Sequence, residues 1–152
     1  MNLPKGIDWS PFTPGLLVTG GGTQDKHIRF WDISNPSSLP SSTNEGSVGV
    51  GSFHTVYTGS QVVNVRWSLL SPNELISTHG YSQNQIIVWA YPWMKEISIL
   101  TGHTQRVLYL TLSPDGQYAA TGGDKTVRVW KMGDKGNSQE NLCDKGNSEE
   151  IR

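Results

Sequence analysis

Apolar and polar side chains alternate through Asp124-Lys125-Thr126-Val127-Arg128-Val129-Trp130, and the same order stands without a gap at Asp25-Lys26-His27-Ile28-Arg29-Phe30-Trp31. Asp precedes Trp by six positions in both. A third copy, Gln83-Asn84-Gln85-Ile86-Ile87-Val88-Trp89, carries Gln in place of the Asp. Alternation with a period of two marks a strand that buries one face. Around the last copy, residues 107–112 are an apolar run and Ser113-Pro114-Asp115-Gly116 is a turn. Residues 118–121 form a second strand, Gly122-Gly123-Asp124 turns again, and residues 126–132 alternate. No stretch of useful length has a helical period, so the class is all-β.

The copies define repeats. Their tryptophans lie 58 and 41 residues apart, and the second spacing falls in the window of about 40 to 45 for four-stranded propeller blades. Trp9-Ser10-Pro11 and Trp67-Ser68 repeat the end of an inner strand, each 22 residues before an outer Trp. The long first spacing is explained by an insertion over residues 34–51, a Ser/Pro/Gly/Asn stretch too polar to bury and expected to be a loop. The expected organisation is a partial propeller over residues 1–132 and a flexible tail over 133–152. In that tail Asp134-Lys135-Gly136-Asn137-Ser138 recurs as Asp144-Lys145-Gly146-Asn147-Ser148.

Composition narrows the partners. The 152 residues carry a formal net charge of −1, which offers no electrostatic footprint for nucleic acid, and no run approaches the roughly 20 apolar residues of a membrane span. Neither nucleic acid nor membrane is therefore expected as a partner. Met1 to Gly6 lacks the apolar run of a secretory signal, and the single Cys143 has no second cysteine to pair with, so a reducing compartment, nucleus or cytoplasm, is expected. The four histidines are far apart in sequence, and Gly20-Gly21-Gly22 lacks the Gly-Lys-Ser/Thr of a phosphate loop, so neither a metal nor another cofactor is expected. Ser10-Pro11, Ser71-Pro72 and Ser113-Pro114 read as turn starts.

Gly102-His103, then Asp124, then Trp130 form the WD40 signature. With residues 78–86, 101–108 and 20–23, it closely resembles the last three repeats of the Cdc20/Cdh1 (Fizzy and Fizzy-related) activators of the anaphase-promoting complex. The resemblance implies about three four-stranded blades of a seven-bladed propeller, in a substrate-recruiting adaptor of a ubiquitin ligase that does no chemistry itself. Members also end in Ile-Arg, as Ile151-Arg152 do here. That side chain, guanidinium and terminal carboxylate would dock on a tetratricopeptide-repeat subunit of the ligase. A generic WD40 interaction scaffold, or a truncated competing form, is the alternative.

The signature residues are expected to be structural. His103 should bridge Asp124 and the Thr121 hydroxyl, which in turn meets the Trp130 indole N–H, and losing one member would leave buried partners unmet at about 1 to 3 kcal/mol each. The network is expected to be incomplete in the other repeats, with Ser60 where the Gly-His motif would place histidine and Gln83 replacing Asp. For degron-bearing substrates, the resemblance assigns KEN-box binding on the top face to Thr23, Gln61 and Arg106. It also sets Lys125 where the family typically has a Glu of the destruction-box pocket, which implies weak destruction-box binding, and the hairpin before it is shorter than the family's usual form. The chain is expected to enter mid-blade and to lack both the strand closing the last blade and the C-box, as a C-terminal piece or truncated relative would.

Overall fold

A computed structural model describes residues 4–34 and 52–133. Eleven strands lie in them: β1 (Gly6–Trp9), β2 (Leu16–Gly20), β3 (His27–Asp32), β4 (Ser52–Tyr57), β5 (Val62–Trp67), β6 (Glu74–His79), β7 (Ile86–Ala90), β8 (Lys95–Leu100), β9 (Tyr109–Leu112), β10 (Tyr118–Gly122) and β11 (Val127–Lys131). Strands β1 to β4 make one antiparallel meander, β5 to β8 a second, and β9 to β11 a third. The first sheet is thus a whole four-stranded blade rather than one entered part-way. The third has three strands among the described residues, in the order β9-β10-β11. The inserted loop beyond Ser34, and the tail with Cys143, Ile151 and Arg152, lie outside the described residues.

Packing explains a difference among the repeats. The middle sheet is covered on both sides: Leu75, Ile87 and Trp89 face the first sheet's Val18, Ile28 and Phe30, while Ile76, Ile86 and Val88 face Val107, Leu110 and Trp130 of the third. A strand buried on both faces needs no alternation, and β7 reads Ile-Ile-Val-Trp without a polar break. Strand β3 keeps Arg29 between apolar residues on the face its sheet leaves open, whereas Arg128 of β11 shares the covered face with Trp130 and the other face carries Val127 and Val129.

Aromatic rings close the first junction. Phe30 lies 5.0 Å from Tyr91 and 6.0 Å from Trp67, and Trp67 meets Tyr91 edge-on at 4.9 Å. Beside them Asp8 reaches across from β1, accepting from the Trp67 backbone N–H at 2.9 Å and from Arg66 at 3.3 Å. Backbone bonds repeat at the two junctions: the Val62 N–H donates to the Gly21 carbonyl at 3.0 Å and the Val107 N–H to the His79 carbonyl at 3.2 Å. The second of these takes Val107 towards the neighbouring sheet, and β9 begins at Tyr109, two residues later than the apolar run suggests.

Removing the ring at the first junction should open a cavity between two sheets. Phe30→Ala is expected to lower unfolding free energy by about 3 to 5 kcal/mol, read from the urea midpoint at unchanged slope.

Candidate functional site

Each blade carries the tip of a hairpin to the same end of the stack. The turns are β2–β3 (21–26), β6–β7 (80–85) and β10–β11 (123–126), and the last is two residues shorter than the other two. All three pass through a left-handed residue directly after the Asp or Gln position, Lys26 at φ 54°, Asn84 at 46° and Lys125 at 63°. An αL residue reverses the chain tightly, and asparagine tolerates it better than lysine.

In the third blade the relay is present as the sequence indicates. The Trp130 indole N–H donates to the Thr121 hydroxyl at 2.8 Å, that hydroxyl meets His103 Nε2 at 2.9 Å, and His103 Nδ1 meets Asp124 at 2.8 Å. An ionised carboxylate only accepts, so Nδ1 carries the proton and Nε2 accepts from Thr121. Asp124 also accepts from the Thr104 backbone N–H at 2.6 Å and from the Thr126 hydroxyl at 2.6 Å. These donors, the Thr104 N–H foremost, hold its carboxyl well below the usual carboxylate range.

The second blade has a complete relay as well, contrary to the expectation from Ser60 and Gln83. Here the Trp89 indole donates to Ser77 Oγ at 2.7 Å, Ser77 meets His79 Nε2 at 2.8 Å, and His79 Nδ1 meets Ser60 Oγ at 2.8 Å. Ser60 passes its own proton to Gln83 Oε1 at 2.9 Å. The imidazole is therefore kept, but it enters from the end of β6 instead of from the preceding loop, and Ser60 fills the space left at the loop. The position of His79 is Gly21 in the first blade and Gly123 in the third. A side chain on Gly123 would crowd the His103 ring.

The first blade keeps half of the relay. Trp31 donates to Thr19 Oγ1 at 2.9 Å, while Asp25 turns to Arg29, whose Nη2 lies at 2.7 Å and whose second nitrogen also contacts it. That guanidinium, with His27 beside it, lowers the Asp25 pKa.

Around these tips the structure brings together two of the three residues assigned to degron binding. Gln61 and Arg106 converge over Gly80, where a side chain would strike the Gln61 amide oxygen and the Arg106 stem. The Gly80 N–H donates to the Gln61 carbonyl at 3.0 Å. Gln61 is only 7% exposed, so it shapes the floor of the face more than it offers a free amide. Arg106 is exposed, whereas Thr23 stands exposed in the β2–β3 turn of the first blade and does not lead a strand as Gln61 does. Lys125 is exposed at the β10–β11 tip.

Sequence reasoning missed the rest of this surface. A pocket of about 550 Å³ is lined by Tyr81, Asn84, Thr104, Arg106 and Leu108, with Asn84 bridging to the Thr104 carbonyl at 3.2 Å. Tyr81 stands 81% exposed at a turn tip, and an aromatic there was the one available signal. Among the described residues no group of three His, Cys, Asp or Glu could hold a metal ion.

The meanders and their relay define a WD40-repeat protein, and residues 94–131 match the family described as WD domain, G-beta repeat. The chain is 53% identical over 129 residues to the B-type cell cycle switch protein ccs52A of Medicago truncatula, an alignment covering 84% of this chain and 24% of that one. It is 52% identical over 129 residues to the anaphase-promoting complex subunit cdh1 of Dictyostelium discoideum, covering 84% of this chain and 15% of that one. Among solved structures it is similar to a chain of the mitotic checkpoint complex crystal structure, with a TM-score of 0.72 at 34% identity, covering 86% of this chain and 38% of that one. The curated relatives at this level of identity are ccs52, Fizzy-related and Cdh1 proteins, and the chain spans about a quarter of the length of the first of them.

Burial lowers the His79 pKa to about 4 from its ordinary 6.5. The folded state therefore resists protonation that the unfolded chain accepts. The stability held by neutral His79 is whole above pH 6.5 and is lost as pH falls towards 4, a span worth about 3 kcal/mol. Denaturant midpoints between pH 7 and 4.5 should fall less steeply in His79→Gln than in the parent chain.

Proposed function

We propose that this chain is the substrate-binding part of an adaptor that recruits degron-bearing proteins to the anaphase-promoting complex, holding a KEN-type motif on the face made by Gln61, Arg106 and the pocket beside them. The observation that carries the reading is the convergence of Gln61 and Arg106 over Gly80, next to a pocket with an exposed tyrosine on its wall. Arg106 supplies the cation for an acidic motif residue, Thr104 and Asn84 supply polar groups for the peptide backbone, and Tyr81 and Leu108 supply apolar surface. A relative named as an anaphase-promoting complex subunit, at 52% identity, supports the ligase as the partner.

The adaptor does no chemistry itself. His79 and His103 support that assignment, because each has both ring nitrogens engaged in a relay that serves packing. Ile151-Arg152 would dock on a tetratricopeptide-repeat subunit of the ligase, and the place of action would be nucleus and cytoplasm.

Titrating the chain with a fluorescent KEN-box peptide tests the face. Arg106→Glu should weaken binding at least about tenfold, since it replaces a charge-assisted pair by like-charge repulsion. Equal affinity of parent and variant would remove Arg106 from the site. With an Arg-bearing destruction-box peptide the parent should bind weakly, and Lys125→Glu should tighten binding by about two- to fivefold, an effect that added salt reduces. A gain that persists in high salt, or no gain, would dismiss Lys125 as an electrostatic gate.

A further inference from the structure

The loop that enters β9 meets solvent with a period of two residues. Arg106 is exposed, Val107 is fully buried and gives its N–H to the His79 carbonyl at 3.2 Å, and Leu108 is 47% exposed. The Leu108 backbone is held on both sides. Its N–H donates to the Gly122 carbonyl at 2.8 Å, and its carbonyl accepts from Asn64 Nδ2 at 2.6 Å. Arg106 and Leu108 therefore project to the same side, about 6.5 to 7 Å apart along an extended backbone. Both line the pocket of about 550 Å³ together with Tyr81, which stands exposed at the β6–β7 tip. Its walls lie inside the chain: Tyr81 belongs to the middle sheet, and Arg106 and Leu108 to the loop joining that sheet to the third.

Charge distinguishes the two ends of this short row. Arg106 makes no ion pair among the described residues. The carboxylate of the neighbouring tip is already engaged, since Asp124 accepts from His103, from the Thr104 backbone and hydroxyl, and from Thr126. The pocket thus offers an unpaired cation at one position and aliphatic and aromatic surface two residues along.

We propose that this pocket selects peptides in which a large apolar residue stands two positions from the acidic residue that pairs with Arg106. An extended peptide repeats its side chains on one face every two residues, the same period as Arg106 and Leu108. One peptide can therefore set its acid on the guanidinium and its apolar side chain against Tyr81 and Leu108. In a KEN-type motif that residue falls outside the three motif letters, two before the glutamate or two after it. Lysine is disfavoured there, because it would lose hydration beside Arg106 with no carboxylate to meet it. Tyr81 and Leu108 are specificity-determining residues in this assignment, which rests on the peptide-binding reading above.

Fluorescence anisotropy on the full chain tests it, using KEN-box peptides of equal length that carry Leu, Ser or Lys at each of the two positions. At one of them Leu should bind about tenfold more tightly than Ser, the gain from burying most of one apolar side chain, and Lys no better than Ser. Tyr81→Ser, at an exposed tip, should cost the Leu peptide far more than the Ser peptide. Arg106→Glu should weaken both by the same factor, because it acts on the acid they share. Equal affinity of Leu and Ser peptides at both positions, or Lys as tight as Leu, would overturn the apolar subsite and leave the pairing with Arg106 standing. A Leu advantage that survives Tyr81→Ser would overturn the subsite as well, since the side chain then lies elsewhere. Binding of none of the peptides would overturn both the subsite and the peptide-binding reading.

Discussion

Everything at the working end of this molecule depends on a one-way file of protons running from a tryptophan indole, through a hydroxyl and an imidazole, to an acceptor in a hairpin tip. The tryptophan sits on the third strand of its sheet, the hydroxyl on the second, and the acceptor in the turn between them, so one file ties three pieces of backbone together. The links between tryptophan, hydroxyl and imidazole are buried, and an unmet member there would cost about 1 to 3 kcal/mol, a large part of the margin of a small domain. The relay is therefore kept where its parts change. In the second blade the ring moves from loop to strand and a neutral amide, reached through the Ser60 hydroxyl, replaces the carboxylate, while the direction of donation stays the same.

That constraint reaches the surface. With the tips pinned, the loops entering β5 and β9 are held against the neighbouring turns by single backbone bonds, and Gly80 leaves room for Gln61 and Arg106 to lie over it. The pocket beside them needs no flexible closure to form, since its walls are the fixed tip of one blade and the entry loop of the next. A face of this kind suits a short extended peptide, which loses less on binding when the receptor is already ordered.

Much of the fold was legible because the repeats speak for each other. The ungapped match of residues 25–31 with 124–130 located two outer strands, and Gly102-His103 with Asp124 and Trp130 located a buried network before any coordinates. The second network was hidden because its histidine left the expected place. The readable signal was a pair of facts that only make sense together, the loss of the loop histidine at Ser60 and a histidine at 79 where the other repeats have glycine. The pocket lined by Tyr81 and Leu108 was not legible at all, because it depends on how one blade's tip meets the next blade's loop and no periodicity encodes that angle. Thr23 was grouped with Gln61 and Arg106 by the family resemblance, but it belongs to a turn and not to a strand entry.

The relay stands on the direction of proton donation, and the imidazole nitrogens report it directly. A long-range nitrogen–proton correlation spectrum of the folded chain should show His79 and His103 both carrying a proton at Nδ1, with Nε2 accepting. An Nε2-protonated ring at either residue would break the file at its middle link and contradict the account.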